Sequence, residues 1–314
     1  MKAKVFIDGS EGTTGLRIHE RFAGRDDIEL LTIAGDLRKD RAERKRLINE
    51  SDITFLCLPD DAAREAVSLV ENERVRIIDT STAHRTAPGW AYGFPELSEQ
   101  HRAAIRNGTR VAVPGCHATG FIALVYPLVS GGVLPADCPL AAFSLTGYSG
   151  GGKKMIAEYE DSARHADLAA PREYALTQQH KHLKEMQAVT GLSRTPLFSP
   201  IVADYYSGMV VSVPLHADFL HGHATPAALT AYYADFYQGT PFITVAADSG
   251  QLHGGMLAGN ARAGRDDLLL FVTGNDERIV LSAQFDNLGK GASGAAVQCL
   301  NIMLGCDERK GLAV

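Results

Sequence analysis

Asp8-Gly-Ser-Glu-Gly-Thr-Thr-Gly15 follows a short β-rich run, residues 4–7, and leads into a helix-like segment, residues 15–22. Its glycines stand at Gly9, Gly12 and Gly15, a GxxGxxG spacing. Glycine turns tightly and lets backbone N–H groups approach a pyrophosphate, while the following helix offers its positive N-terminus to the phosphates. The spacing departs from GxGxxG, so an ordinary glycine-rich strand-to-helix turn is the plain alternative. A second feature favours a nucleotide. Leu58-Pro59 ends a strand and precedes a helix, where such sheets expose their ligand crevice.

Outward from this turn the alternation continues. Residues 28–33 form the next apolar run. A charged segment, residues 36–49, has 3.6-type spacing through Leu37, Ala42 and Leu47. Residues 53–58, 75–79 and 110–113 read as strands, and residues 62–70 as a helix. Short apolar runs interleaved with helices predict parallel strands joined by right-handed crossovers. The pattern changes near Val113-Pro114-Gly115. A helix-like segment, 117–129, is followed by longer strand runs at 140–148, 198–213, 241–246, 268–275 and 278–285, which suggest a largely antiparallel sheet. One helix interrupts them, with Thr225 as N-cap, Pro226 at its first position and residues 227–236 after it. Residues 291–305 read as a terminal helix.

The chain has 314 residues, 45% hydrophobic and 22% charged, enough for a substantial core and, by length, about two domains. Its net charge of −6 gives no basic surplus for nucleic acid. No apolar run approaches the roughly 18–20 residues that span a bilayer. The opening MKAKVFIDGS reads straight into a strand and lacks signal-peptide features, so a cytoplasmic location is expected.

Cofactor type turns on a few side chains. Asp36 lies about where an acidic residue holds a ribose hydroxyl in NAD enzymes. Arg38, Lys39 and Arg41 stand beside it; they are either a solvated charge run or the cradle of a 2′-phosphate. The basic cluster favours NADP.

Five cysteines without a CxxC exclude a disulfide framework or zinc ribbon. Cys57, Cys138, Cys299 and Cys306 read as packing. Cys116, in Pro114-Gly-Cys-His-Ala-Thr-Gly120, sits at or near a helix N-terminus, where the dipole favours a thiolate and N–H groups stabilise an oxyanion. A dinucleotide domain followed by a cysteine nucleophile suggests hydride transfer through a thioester. His180 and His182 are ambiguous. Leu183 and Met186 mark a helix start, and residues i and i+2 on a helix do not face each other, so no metal pair is expected there. His216, His221 and His223 read as loop or surface residues, and no metal is expected overall.

These motifs resemble, over essentially the whole chain, the shorter type of the N-acetyl-γ-glutamyl-phosphate reductase family. The resemblance rests on GSEGTTG (9–15), DTSTAHR (79–85), YGFPEL (92–97), PGCHATG (114–120), GYSGGGKK (147–154), HKHLKE (180–185) and DNLGKGASGAAVQ (286–298), in that order. It implies an α/β fold: a Rossmann NADP-binding domain, residues 1–115 plus 287–314, and an α/β catalytic and oligomerisation domain, residues 116–286, with a mixed, largely antiparallel sheet. It implies a homo-oligomer, dimer or tetramer, with a small-molecule substrate. Cys116 would be the nucleophile and His182 the acid/base. Gly9, Ser10, Gly12, Thr13, Gly15, Arg38, Lys39 and Ser81 would hold the cofactor, with Asn287 and Gly291 beside the nicotinamide. Tyr174, His180, Ser149 and Gly150 would meet the substrate. Lys184 stands where the longer type has proline. The implied reaction is NADPH-dependent reduction of N-acetylglutamyl 5-phosphate to the semialdehyde with release of phosphate. The rivals are aspartate-semialdehyde dehydrogenase, a longer-chain aminoadipate-type reductase, and a non-enzymatic NADP sensor that would not need Cys116 and His182 together.

Overall fold

Alternating strands and helices build a first unit, residues 1–114 with 292–312; residues 115–291 with 313–314 form a second. The computed structural model describes residues 2–247, 252 and 254–314. Among these, the first unit contains β1 (Ala3–Asp8), α1 (Thr13–Arg21), β2 (Ile28–Leu31), α2 (Arg41–Glu50), β3 (Ile53–Leu56), α3 (Asp60–Ser68), β4 (Arg76–Asp79), β5 (Ala91–Tyr92), α4 (Glu99–Asn107) and β6 (Arg110–Ala112). The sheet order is β2-β1-β3-β4-β6-β5, and every pairing is parallel. Side-chain alternation along β1 feeds two cores. Val5 and Ile7 pack with Ile18 of α1 on one face. Phe6 packs on the other with Leu47 and Ile48 of α2 and Ala63 of α3. Strands buried on both faces are what a doubly wound sheet requires.

The second unit contains α5 (Cys116–Ser130), β7 (Ala141–Gly147), α6 (Gly152–Glu160), β8 (Arg172–Glu173), α7 (Leu183–Thr190), β9 (Leu197–Ala203), β10 (Met209–His216), α8 (Pro226–Phe236), β11 (Ile243–Val245), β12 (Leu268–Gly274) and β13 (Arg278–Phe285). Its sheet runs β11-β12-β13-β10-β7-β9-β8. β11–β12 and β7–β9 are parallel and the remaining neighbours antiparallel, so the sheet is mixed. Helix α5 lies close on this sheet. A Cβ on Gly120 would stand 2.6 Å from Val211 of β10, so only glycine permits the approach. The chain then returns to the first unit as α9 (Gly294–Leu304), whose Ala295, Ala296 and Leu300 join the core beneath β1.

Three local expectations need correction. The segment 36–49 is helical only from Arg41, because Asp40 caps α2 by accepting the Glu43 N–H at 2.8 Å. Leu37 and Ala42 are exposed, while Arg44 is buried. The run 198–213 is two strands, β9 and β10, on either side of β7. The terminal helix starts at Gly294, after a π-turn at Gly289–Ser293. Asp286 braces the start of that turn by accepting hydrogen bonds from the Ser207 hydroxyl and the Gly264 and Leu288 N–H groups.

Candidate active site

In the first unit, register places Asp8, Leu56, Asp79 and Ala112 on one row at the C-terminal ends of β1, β3, β4 and β6. The strand order reverses between β1 and β3, which is where open α/β sheets bind ligands. Gly9 steps off this row with φ +87°, and a Cβ there would run into the Cys57 carbonyl oxygen. A Cβ on Gly15 would strike the Gly9 carbonyl. Gly12 is different: a Cβ there would reach only ordinary contact, 3.4 Å from the Gly9 oxygen. It N-caps α1 without a side-chain bond, so the helix's first N–H groups, next to Ser10 and Thr13, have no capping oxygen. That set fits an anionic phosphate.

Around this turn Arg38 forms an exposed ion pair with Glu11, which brings a guanidinium to the glycine loop. Lys39 and Asp36 are exposed in the turn before α2. Ser81 lies just past β4, buried, its N–H and hydroxyl donated to Asp79 at 2.9 and 2.8 Å. Asp79 also holds His84 Nδ1 at 2.6 Å, and the His84 ring stacks on Trp90. Asp8 is buried against Arg44, and burial is the largest influence on its carboxyl, pushing its pKa up.

In the second unit Cys116 is the first residue of α5, half-buried, with Gly115 as N-cap. The buried Glu185 carboxylate accepts the Gly115 N–H at 3.1 Å and so ties α7 to the start of α5. The other cysteines differ. Burial pushes the Cys57 thiol up to about 12 and raises that of Cys138. Cys299 is buried against the Gly93 carbonyl, and Cys306 lies beside the Asn301 carbonyl.

The Cys116 sulfur and one ring nitrogen each from His117 and His182 lie within 4.8 Å of one another. His182 is buried as the N-cap of α7, not inside the helix. This corrects the i, i+2 argument: in the turn before α7 the His180 and His182 rings meet edge to face, 4.6 Å between centroids. His180 Nδ1 accepts the His182 backbone N–H at 3.2 Å. The approach to this turn is strained, with Ala175 at φ +52° and Gln178 at φ +57°. Gln178 compensates by pairing its side-chain amide with both backbone groups of Phe198, at 2.8 and 2.9 Å.

Tyr174 stands against His117, its hydroxyl 2.7 Å from Nε2, and His117 Nδ1 meets Ser144 Oγ at 2.6 Å. Burial, with His180 nearby, pushes the His117 pKa down to about 3, so the ring is neutral. Burial and the neighbouring Cys116 sulfur raise that of Tyr174. With both nitrogens of His117 engaged, a metal would find, among the described residues, Cys116 and His182 here, fewer than the three protein ligands of a catalytic zinc site.

Ser149 and Asn287 are joined by a 3.0 Å hydrogen bond, with Gly150 beside the Asn287 amide. Gly291 packs on Cys116, where a Cβ would stand 2.9 Å from the cysteine's own. Asn287 and Gly291 thus gather with Ser149, Gly150 and Cys116 in the second unit, while the glycine loop, Arg38 and Ser81 belong to the first. Sequence reasoning missed His117 and Ser144 and gave Glu185 no task. The available signal for His117 was a polar ring next to the nucleophile at the head of an apolar helix.

Residues 116–287 match the semialdehyde dehydrogenase dimerisation domain, and residues 10–105 the semialdehyde dehydrogenase NAD-binding domain. A relative from Nostoc sp. named N-acetyl-gamma-glutamyl-phosphate reductase 2 is 48% identical, covering 99% of each chain. One of the same name from Pseudomonas putida is 47% identical over 98% of each. Among solved structures, aspartate semialdehyde dehydrogenase II from Vibrio cholerae superposes with a TM-score of 0.73 at 16% identity, covering 97% of this chain and 99% of that one; that likeness speaks to the fold. By its matched domains and near half-identical relatives, the chain belongs to the N-acetyl-γ-glutamyl-phosphate reductase family of semialdehyde dehydrogenases.

Proposed function

We propose that the protein reduces N-acetyl-L-glutamyl 5-phosphate to N-acetyl-L-glutamate 5-semialdehyde and phosphate with NADPH, a step of arginine biosynthesis. The observation that carries this reading is the Cys116 sulfur at the first position of α5, within 4.8 Å of an imidazole nitrogen of His182. The Cys116 thiolate, favoured by the helix dipole, attacks the acyl carbon. A C–S bond forms, the C–O bond to phosphate breaks, and a thioester remains on Cys116. When bound, the dinucleotide supplies a hydride to the thioester carbon. His182 gives a proton to the developing oxyanion, and in reverse removes the hemithioacetal proton. As the C–S bond breaks, His182 takes that proton back, the C=O re-forms, the thiolate is regenerated and the aldehyde is freed. Ser149, Gly150, Tyr174 and His180 line the substrate's side of the sulfur.

In this reading residues 1–115 with 287–314 bind the dinucleotide and residues 116–286 carry catalysis and subunit contacts. Gly9, Ser10, Gly12, Thr13 and Gly15 hold the pyrophosphate, Ser81 the cofactor's nicotinamide half, and Asn287 and Gly291 its ring. Arg38 and Lys39 hold the 2′-phosphate, Arg38 exchanging Glu11 for it. Arg38→Ala should raise the KM for NADPH by about tenfold or more while leaving that for NADH unchanged. Equal effects on both would remove the 2′-phosphate role. The protein works in the cytoplasm as a homo-oligomer.

The deciding assay follows NADP reduction with N-acetylglutamate semialdehyde and phosphate, and with aspartate semialdehyde as rival. Turnover of the acetylated substrate that stops without phosphate supports the proposal. Preference for aspartate semialdehyde would move the protein to that specificity.

A further inference from the structure

Ser144, His117 and Tyr174 form a line that ends beside the reactive sulfur. Ser144 Oγ lies 2.6 Å from His117 Nδ1, and Tyr174 Oη lies 2.7 Å from Nε2. A neutral imidazole brings one N–H and one lone pair, and each hydroxyl brings one proton. Two hydrogen bonds use two of these three protons, so one hydroxyl proton is left over. It belongs to whichever hydroxyl receives the imidazole N–H.

Burial decides which end that is. Ser144 is fully buried on the inner face of β7, and among the described residues its hydroxyl has His117 as its one hydrogen-bond partner. If Nδ1 carried the proton, the Ser144 hydroxyl would keep a donor with no acceptor in a dry environment, which is costly. The Tyr174 end is only half-buried. It also lies one hydrogen bond from His117, a ring nitrogen of which is within 4.8 Å of the Cys116 sulfur. A spare hydroxyl proton is favourable there, because it meets negative charge.

We infer that His117 is a positioning residue held in one tautomer, with its proton on Nε2, so that the Tyr174 O–H is turned outward to donate to the carbonyl oxygen of the acyl group on Cys116. Ser144 O–H donates to Nδ1, Nε2–H donates to the Tyr174 oxygen, and the tyrosine proton is directed at the site. No proton is transferred along the line. Tyr174 contributes a hydrogen bond that strengthens as the carbonyl oxygen gains charge. The inference rests on the reaction proposed above for the second half of its claim and on the buried geometry alone for the first.

Two measurements on the full chain test it. Nitrogen-15 NMR of labelled protein reads the histidine tautomers directly, with His117 assigned by its loss in His117→Gln. The expected result is a protonated Nε2 and a bare Nδ1. A protonated Nδ1 overturns the inference whatever the variants do. In the reverse assay Tyr174→Phe should lower kcat by about 10²-fold with little change in KM. His117→Phe should fall to the same level, and the double variant should be no worse than either. His117→Gln, which keeps an N–H near the Nε2 position, should recover most of the rate. Additive losses, or a glutamine no better than phenylalanine, overturn the relay. If the unaltered chain turns over no semialdehyde, the proposed reaction fails, while the NMR result still decides the tautomer.

Discussion

Cys57 and Cys116 carry the same thiol in opposite surroundings. Cys57 follows β3, where burial pushes it up to about 12, and the nearby carboxylates of Asp79 and Asp8 oppose a thiolate further. Cys116 begins a helix of fifteen residues whose dipole favours the anion. Cys116→Ser should abolish turnover with NADPH binding retained, and Cys57→Ser should leave turnover near normal. His182→Asn should cost roughly 10²–10⁴-fold in rate. Substantial activity in the serine variant at Cys116 would remove it as nucleophile. A second prediction belongs to His117. Its pKa in the folded chain is about 3 against an ordinary 6.5. Below pH 6.5 the unfolded chain takes up a proton that the folded chain refuses. This contribution to stability is therefore complete above pH 6.5 and is lost as pH falls toward 3, with a slope of up to about 1.4 kcal/mol per pH unit. His117→Gln removes the titrating ring. Denaturation midpoints measured from pH 7 to pH 4 should fall less steeply in the variant, and parallel curves would refute a neutral buried ring.

At the scale of elements, α5 shows how a sequence irregularity is accommodated. Pro127 lies inside the helix and has no N–H for the Ala123 carbonyl. Tyr237, just past α8, donates its hydroxyl to that carbonyl at 2.7 Å. Tyr232 and Tyr233 of α8 donate to the Pro127 and Leu124 carbonyls. Tyr237→Phe leaves a buried acceptor unsatisfied and should destabilise the protein by about 1–3 kcal/mol, read as a lower denaturation midpoint at unchanged activity per folded molecule. No change in midpoint would mean that the Ala123 carbonyl needs no partner. The same elements show what the sequence made legible. A continuous apolar run marked α5, and the Thr225 cap with Pro226 marked the start of α8, both nearly to the residue. The parallel sheet followed from short apolar runs between helices. In segment 36–49 Leu37 and Ala42 stay exposed and Arg44 is buried instead, its guanidinium on the Asp8 carboxylate. That partner is 36 residues away in the chain, beyond any periodicity window. The turn holding His180 and His182 was misread for a related reason. Gln178 fixes it by bonding Phe198 on β9, a tertiary contact with no local sequence signature.

At the scale of the molecule, the two sheets bury their apolar residues differently. The parallel sheet is covered on both faces within its own unit. In the mixed sheet, Ala142, Ser144 and Thr146 of β7 are buried, while Phe143 between them is 49% exposed. Register sets Phe143 beside Ser199 of β9 and Ser212 of β10, with Leu145 beside Ile201 and Val210. Ser212 pairs its hydroxyl with Ser282 of β13 at 2.9 Å on this same row, next to Pro214 and Val280. An apolar row seamed with paired hydroxyls suits a second protein surface better than water. Residues 116–287, which include this row, match a family's dimerisation domain, so a second copy of the chain is the proposed cover. Light scattering on the purified protein should then give a multiple of 33.7 kDa. Phe143→Lys places a charge in the middle of the row, where a desolvated and unpaired ammonium opposes association. The variant should shift toward 33.7 kDa and show a lower apparent stability that no longer changes with protein concentration, since folding would no longer be coupled to assembly. A variant that keeps the multimeric mass would place the subunit contact on another surface and leave the chemistry of Cys116 untouched.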